Sequence, residues 1–175
     1  HGQWTLPAYR QTAAVLARVM ESGEPIENTV MYDDWRGKAP ETALHDGQAD
    51  GLPDGGAFGE ALPLTQNTFM PGDVVTIEFR SGNPTANHSA LSTFLEVDRE
   101  EGGEWIRVVS DGDWETKIRW RPGDNEDELI AQIVWETLED VTPGLYRIRH
   151  FGLATLPSGD RERFEGTSAP FQVGE

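Results

Sequence analysis

No cysteine occurs among the 175 residues. Disulfides and thiolate metal sites are therefore excluded. No run of about 18 apolar residues occurs, so no stretch reads as a membrane-spanning helix. Positive charge is scarce: 14 Lys and Arg stand against 31 Asp and Glu, for a net charge of −17. A body this acidic repels nucleic-acid phosphates and anionic membrane surfaces, which argues against both as direct partners. The same charge suits cation binding and high solubility. His1, His45, His88 and His150 are scattered, with no H-E-x-x-H and no pair at helical spacing. Gly166-Thr-Ser-Ala-Pro170 lacks the second glycine of a nucleophile elbow. No catalytic set is predicted in this chain. It opens on His rather than Met, which reads as a fragment or a processed product.

What is present is enough apolar matter for one core. Hydrophobic residues make up 37% of the chain, with six Trp and seven Phe, which argues against general disorder. Residues 4–22 read as a helix: Thr5 caps it, Pro7 sits in its first turn, and Gly23 stops it. Tyr9, Ala13, Leu16 and Met20 share one face, and a helix this short needs a surface to pack on. Residues 24–65 carry no sustained period. Asp46-Gly47 and Pro53-Asp-Gly-Gly56 mark a connector that lies along a surface or moves freely.

From Gln66 onward the pattern becomes short alternating runs. Val75, Ile77 and Phe79 alternate with polar neighbours, and so do Trp114, Thr116, Ile118 and Trp120. Further strands are expected at 94–97, 105–109, 130–135, 145–149 and 169–173. Seven short strands separated by turns predict an antiparallel sandwich over 66–175. Pro143-Gly144 just before Tyr146 predicts a tyrosine corner, with the ring buried and its hydroxyl bonded to upstream backbone. The expected architecture is mainly β: an immunoglobulin-like sandwich preceded by one α-helix and a long irregular linker.

Asp111-Gly112-Asp113 is the loop with ligand-like chemistry. Two carboxylates flanking a glycine can curl around a hard cation, with the Thr116 hydroxyl or nearby carbonyls adding oxygens. It is not an EF-hand, since Thr116 stands where that loop needs Gly and Pro122 where it needs Glu. Asp-Gly between strands is also simply a good hairpin turn, so turn and metal site both remain open. His150 follows Tyr146 and Ile148 on one strand face and is expected in the core or at an interface. Arg147 and Arg149 alternate with Tyr146 and Ile148; they are expected to be solvated or to pair with Glu on a neighbouring strand, with an exposed basic stripe as the alternative.

Several segments together resemble the neutral ceramidases. Trp4-Thr-Leu-Pro-Ala-Tyr-Arg-Gln11 is similar to the helix that ends that family's catalytic domain, and Ala57-Phe-Gly59 to its linker. Pro71–Phe79 with Gly82-Asn-Pro84, and Ser92–Val97, resemble the first strands of its immunoglobulin-like tail. Asp113–Lys117, Gly144–Gly152 and Phe164–Ser168 are the most specific matches. The resemblance runs nearly end to end and is weakest at 24–56. Thr85-Ala86-Asn87 departs from the Arg-Asn the family often carries there. The resemblance implies that residues 1–23 end an upstream catalytic domain, 24–65 link, and 66–175 form the tail. It also implies a secreted, periplasmic or extracellular hydrolase that cleaves ceramide to sphingosine and fatty acid. Its zinc is held by His, Glu and Tyr side chains of the upstream domain, its partner here. None of those ligands transfers to this chain. The tail in the family carries calcium or magnesium, and that ligand pattern falls on Asp111, Asp113 and Thr116. The alternative is a stand-alone calcium-binding sandwich without enzyme activity.

Overall fold

The computed structural model describes residues 49–84, 93–125 and 127–174. The expected helix at 4–22 lies outside the described residues. Nine strands follow in order: β1 (Thr68–Phe69), β2 (Val74–Ser81), β3 (Leu95–Glu101), β4 (Glu104–Ser110), β5 (Thr116–Pro122), β6 (Leu129–Glu136), β7 (Gly144–Thr155), β8 (Arg161–Thr167) and β9 (Phe171–Val173). One sheet runs β1-β9-β7-β3-β4, with β8 paired to the far half of β7; the other runs β2-β6-β5. Every pairing is antiparallel except β1 with β9. This is the expected immunoglobulin-like sandwich.

The alternating sequence builds the core directly. Val75, Ile77 and Phe79 of β2 turn inward, as do Ile118 and Trp120 of β5 and Ile133 and Trp135 of β6. Facing them are Leu95, Val97, Tyr146, Ile148 and Phe171 of the larger sheet. Trp135 sits at the centre, with its ring 5.0 Å from that of Tyr146 and 6.3 Å from that of Phe171. Tyr146 is 1% exposed, and its hydroxyl donates to the Thr142 carbonyl. The tyrosine corner is present, and it locks the 138–143 turn onto the base of β7.

The structure corrects one expectation and adds two strands. Trp114 belongs to the turn and not to a strand, because β5 begins only at Thr116. Strand β8 was not expected, since Arg161-Glu-Arg-Phe-Glu lacks the alternation that marks a half-buried strand; the run lies exposed against β7. Strand β1 is two residues long, below what a pattern can signal.

The described end of the connector, 49–65, lies along the sandwich. Ala61 bridges Phe79, Leu62 N donates to Glu78 O at 2.8 Å, and Arg80 N donates to Glu60 O at 2.9 Å. The segment thereby covers the free edge of β2. Asp50 fastens its start: its carboxylate accepts from Asn83 N at 2.9 Å and Thr155 N at 2.7 Å. Gly59 makes the tight crossing over β8. Its φ is +84°, and a Cβ on Gly166 would collide with the Gly59 carbonyl, so both positions require glycine.

Candidate functional site

The β4–β5 turn carries the sequence-predicted ligands. Asp113 N donates to Ser110 O at 3.1 Å, which closes the turn. Asp113 Oδ2 accepts from the Ser110 amide at 2.8 Å and lies 3.2 Å from its hydroxyl. Asp111 points elsewhere: Oδ1 lies 2.8 Å from the Thr93 hydroxyl, and Oδ2 accepts from Phe94 N at 2.8 Å. Asp111 thus ties the turn to the start of β3. Thr116 is fully buried; its hydroxyl lies 2.7 Å from Ser110 O and 3.1 Å from Asp113 O.

The structure places Asp111 and Asp113 in the turn and Thr116 at the first position of β5, with the two carboxylates turned to different partners. A carboxylate oxygen accepting one hydrogen bond keeps a second lone pair. The donors are all hard oxygens, which fits calcium or magnesium and not the nitrogen- and sulfur-rich sets of zinc. Among the described residues no group of three or more His, Cys, Asp or Glu gathers around a point. A six- to eight-coordinate ion at this turn needs further oxygens from water or another surface. Glu115, next to the turn, has its pKa raised by burial, with Asp113 and Glu136 repelling its charge.

His150 is a core residue, as expected. It is 0% exposed, and burial pushes its pKa down to about 4. Its Nδ1 lies 2.9 Å from Phe94 O and its Nε2 3.0 Å from Ser81 Oγ. A carbonyl can only accept, so Nδ1 carries the proton and Nε2 accepts from Ser81. Trp120 Nε1 in turn donates to Ser81 Oγ at 3.3 Å. The chain of bonds joins β2 and β5 of one sheet to β7 and the entry to β3 of the other. Ser81 and His150 have the spacing of a nucleophile and its base, but both are buried and no carboxylate orients the ring. No sequence pattern signals this pairing, since its members lie 69 positions apart.

Arg147 and Arg149 pair with acids, as expected. Arg147 Nε donates to Asp98 Oδ2 at 2.9 Å, and its guanidinium lies 4.4 Å from the centre of the Trp105 ring. Arg149 reaches Glu165 at 2.8 Å, Asp98 at 3.1 Å and Glu96. Asp98 and Glu96 are 2% and 8% exposed on the outer face of the sheet, covered by these long cationic side chains. The two arginines are matched by three carboxylates, so the cluster is internally paired and not a basic stripe open to a ligand.

Fold and site together define an immunoglobulin-like domain of the C-terminal type found in the neutral and alkaline ceramidases. The family model "Neutral/alkaline non-lysosomal ceramidase, C-terminal" matches residues 13–173, and the chain belongs to that family. It is 35% identical over 173 residues to the neutral ceramidase of Mycobacterium tuberculosis, covering 98% of this chain and 26% of that protein. It also resembles the solved neutral ceramidase of Pseudomonas aeruginosa, at 27% identity with a TM-score of 0.66, covering 100% of this chain and 28% of the other. A solved ceramidase complexed with C2 gives 28% identity, a TM-score of 0.67 and coverage of 99% and 27%. The chain spans about a quarter of the length of these relatives.

Proposed function

We propose that this chain is the closing, non-catalytic domain of a secreted or periplasmic ceramide amidase. The reaction is hydrolysis of the N-acyl bond of ceramide to sphingosine and fatty acid. The observation that carries this reading is the family match over 13–173 in a chain about a quarter as long as its ceramidase relatives. The rest of such a protein would hold the zinc, whose role is Lewis-acid chemistry at the amide. This chain contributes no zinc ligand and is inactive alone. It supplies a rigid platform, and its Asp111–Thr116 turn holds a hard divalent cation, calcium or magnesium, at the surface facing the catalytic part. No helix among the described residues is long and apolar enough to cross a membrane.

The test is native mass spectrometry with metal analysis on the protein as purified, followed by a ceramide hydrolysis assay. The reading expects a longer chain or a tight complex with a heavier chain, one zinc, one calcium or magnesium, and sphingosine release. A lone 19.4 kDa species that binds calcium and hydrolyses nothing would leave a free-standing module instead. The metal part has its own check. Chelator should lower the Tm of the parent and leave the Tm of Asp111→Ala where it was; a parent Tm indifferent to chelator removes the cation from the account.

A further inference from the structure

Four Asp-Gly pairs occur in this chain, at 46–47, 50–51, 54–55 and 111–112. At such a pair the main chain can rearrange with water as the sole co-reactant. The glycine nitrogen attacks Cγ of the aspartate, and the missing Cβ leaves that approach open. The amide proton and the carboxyl hydroxyl depart together as water, and a succinimide ring closes. Water then adds at the aspartate's own carbonyl carbon and breaks its bond to the glycine nitrogen. The main chain now runs through Cβ and Cγ, and the former carbonyl is a free α-carboxylate. The product, isoaspartate, is an isomer of the starting chain with one more methylene in its backbone, and nothing is oxidised or reduced.

The pair at 46–47 lies outside the described residues. The fold guards two of the other three. Asp50 Oδ1 accepts from Asn83 N at 2.9 Å and Oδ2 from Thr155 N at 2.7 Å, while the attacking atom, Gly51 N, donates to Asp127 O at 2.9 Å. Asp111 Oδ1 lies 2.8 Å from the Thr93 hydroxyl, and Oδ2 accepts from Phe94 N at 2.8 Å. Either carboxylate reaches the nitrogen that follows it only by giving up two hydrogen bonds. Asp54 has no such hold. It and Gly55 are exposed in the middle of a turn closed by Gly56 N to Pro53 O at 2.9 Å. Gly55 has φ +78°, with no heavy atom within 4 Å of where its Cβ would stand. Among the described residues no hydrogen bond or ion pair restrains the Asp54 carboxylate. The turn lies in the strap that covers β2, between the anchor at Asp50 and the bond from Gly59 N to Arg80 O at 2.8 Å.

We infer that Asp54 is a modification site, converted to isoaspartate in the folded protein while Asp50 and Asp111 are spared, and that the added methylene slackens the strap between Asp50 and Gly59. The conversion changes no side-chain formula, so it is a change of backbone path at one turn.

The test ages the protein as purified in water enriched in heavy oxygen, digests it in ordinary water and locates the label by fragmentation. Residue 54 is expected to take up one heavy oxygen, to resist the endoprotease that cuts before aspartate, and to accept a methyl group from S-adenosylmethionine in the presence of an isoaspartyl methyltransferase. Residues 50 and 111 should label at least about tenfold more slowly, because each must first open its hydrogen bonds. Ageing in urea should bring all three to similar rates. Thr93→Val, which frees one oxygen of Asp111, should raise labelling at 111 alone. Limited proteolysis reads the strap: aged parent should be cut faster within 51–58 than fresh parent, and Asp54→Glu should not change on ageing. No label at 54, or equal label at 50, 54 and 111 in the folded protein, overturns the site. Label at 54 with cleavage unchanged overturns the slackening.

Discussion

The two flanks of this sandwich solve the same problem in opposite ways. Each sheet ends in a strand with unpaired backbone and a row of side chains that needs a cover. On the β2 flank the cover comes from the chain itself. Residues 59–62 pair with β2, Asp50 pins the strap, and Phe58 stacks on Phe164 with centroids 5.8 Å apart. On the β4–β5 flank, Ile106 and Val108 remain exposed beside a cleft that reaches Trp135. Among the described residues, the chain finishes one flank from within and leaves the other without a cover.

The largest expected effect that sharpens this contrast lies under the strapped flank, at His150. Its folded pKa of about 4 is below the ordinary 6.5, so the unfolded chain binds the proton first as pH falls. Stability from this group is fully present above about pH 6.5, declines between 6.5 and 4, and is flat below; the loss is about 3 kcal/mol. Urea denaturation of the parent and of His150→Gln across that window checks it. The variant should lack the His150 component of the slope, and parallel curves would contradict the buried neutral ring.

Next in size, Asp50→Ala leaves the Asn83 and Thr155 amides without their acceptor. The cost is about 2 kcal/mol, with faster proteolysis at 50–56. Gly166→Ala forces a Cβ into the Gly59 carbonyl and should cost about 1–2 kcal/mol with the same loosening of the strap. The smallest effect belongs to the open flank. In the 175-residue chain alone, Val108→Ala should change stability by less than about 0.5 kcal/mol, because the side chain has little to lose. Equal losses from Asp50→Ala and Val108→Ala in thermal melts would erase the distinction between the flanks.

Much of the strapped core was legible before any coordinates. Val75, Ile77 and Phe79 on one side, and Ile118 and Trp120 on the other, alternate cleanly because one face of each strand is wet. Pro143-Gly144 ahead of Tyr146 marked the corner. The members of the candidate cation site were read from their spacing and family resemblance, and the structure places two of them in the β4–β5 turn and Thr116 at the start of β5. The hydrogen bonds of Asp111 to Thr93 and Phe94 were not, since those partners lie 18 and 17 positions away. Strand β8 escaped notice because it is bound by backbone pairing to β7, with few apolar contacts to impose a period. The strap was legible only as one of two readings of 24–65, because its hold on β2 comes from backbone bonds, two glycines and one aspartate, none of which makes a pattern. Trp114 misled because it continues the alternation of β5 into the turn. The open flank was invisible because exposure of Ile106 and Val108 follows from unequal sheet widths, a property of pairing that no local window contains.

The most direct measurement is amide hydrogen exchange across both flanks, in the 175-residue chain and again in the longer protein that contains it. The account predicts slow exchange at Leu62 and Arg80 in both samples. At 104–110 it predicts fast exchange at the outward amides in the short chain and at least tenfold slowing in the longer one. Identical exchange at 104–110 in the two samples, with the strap equally protected, would contradict it.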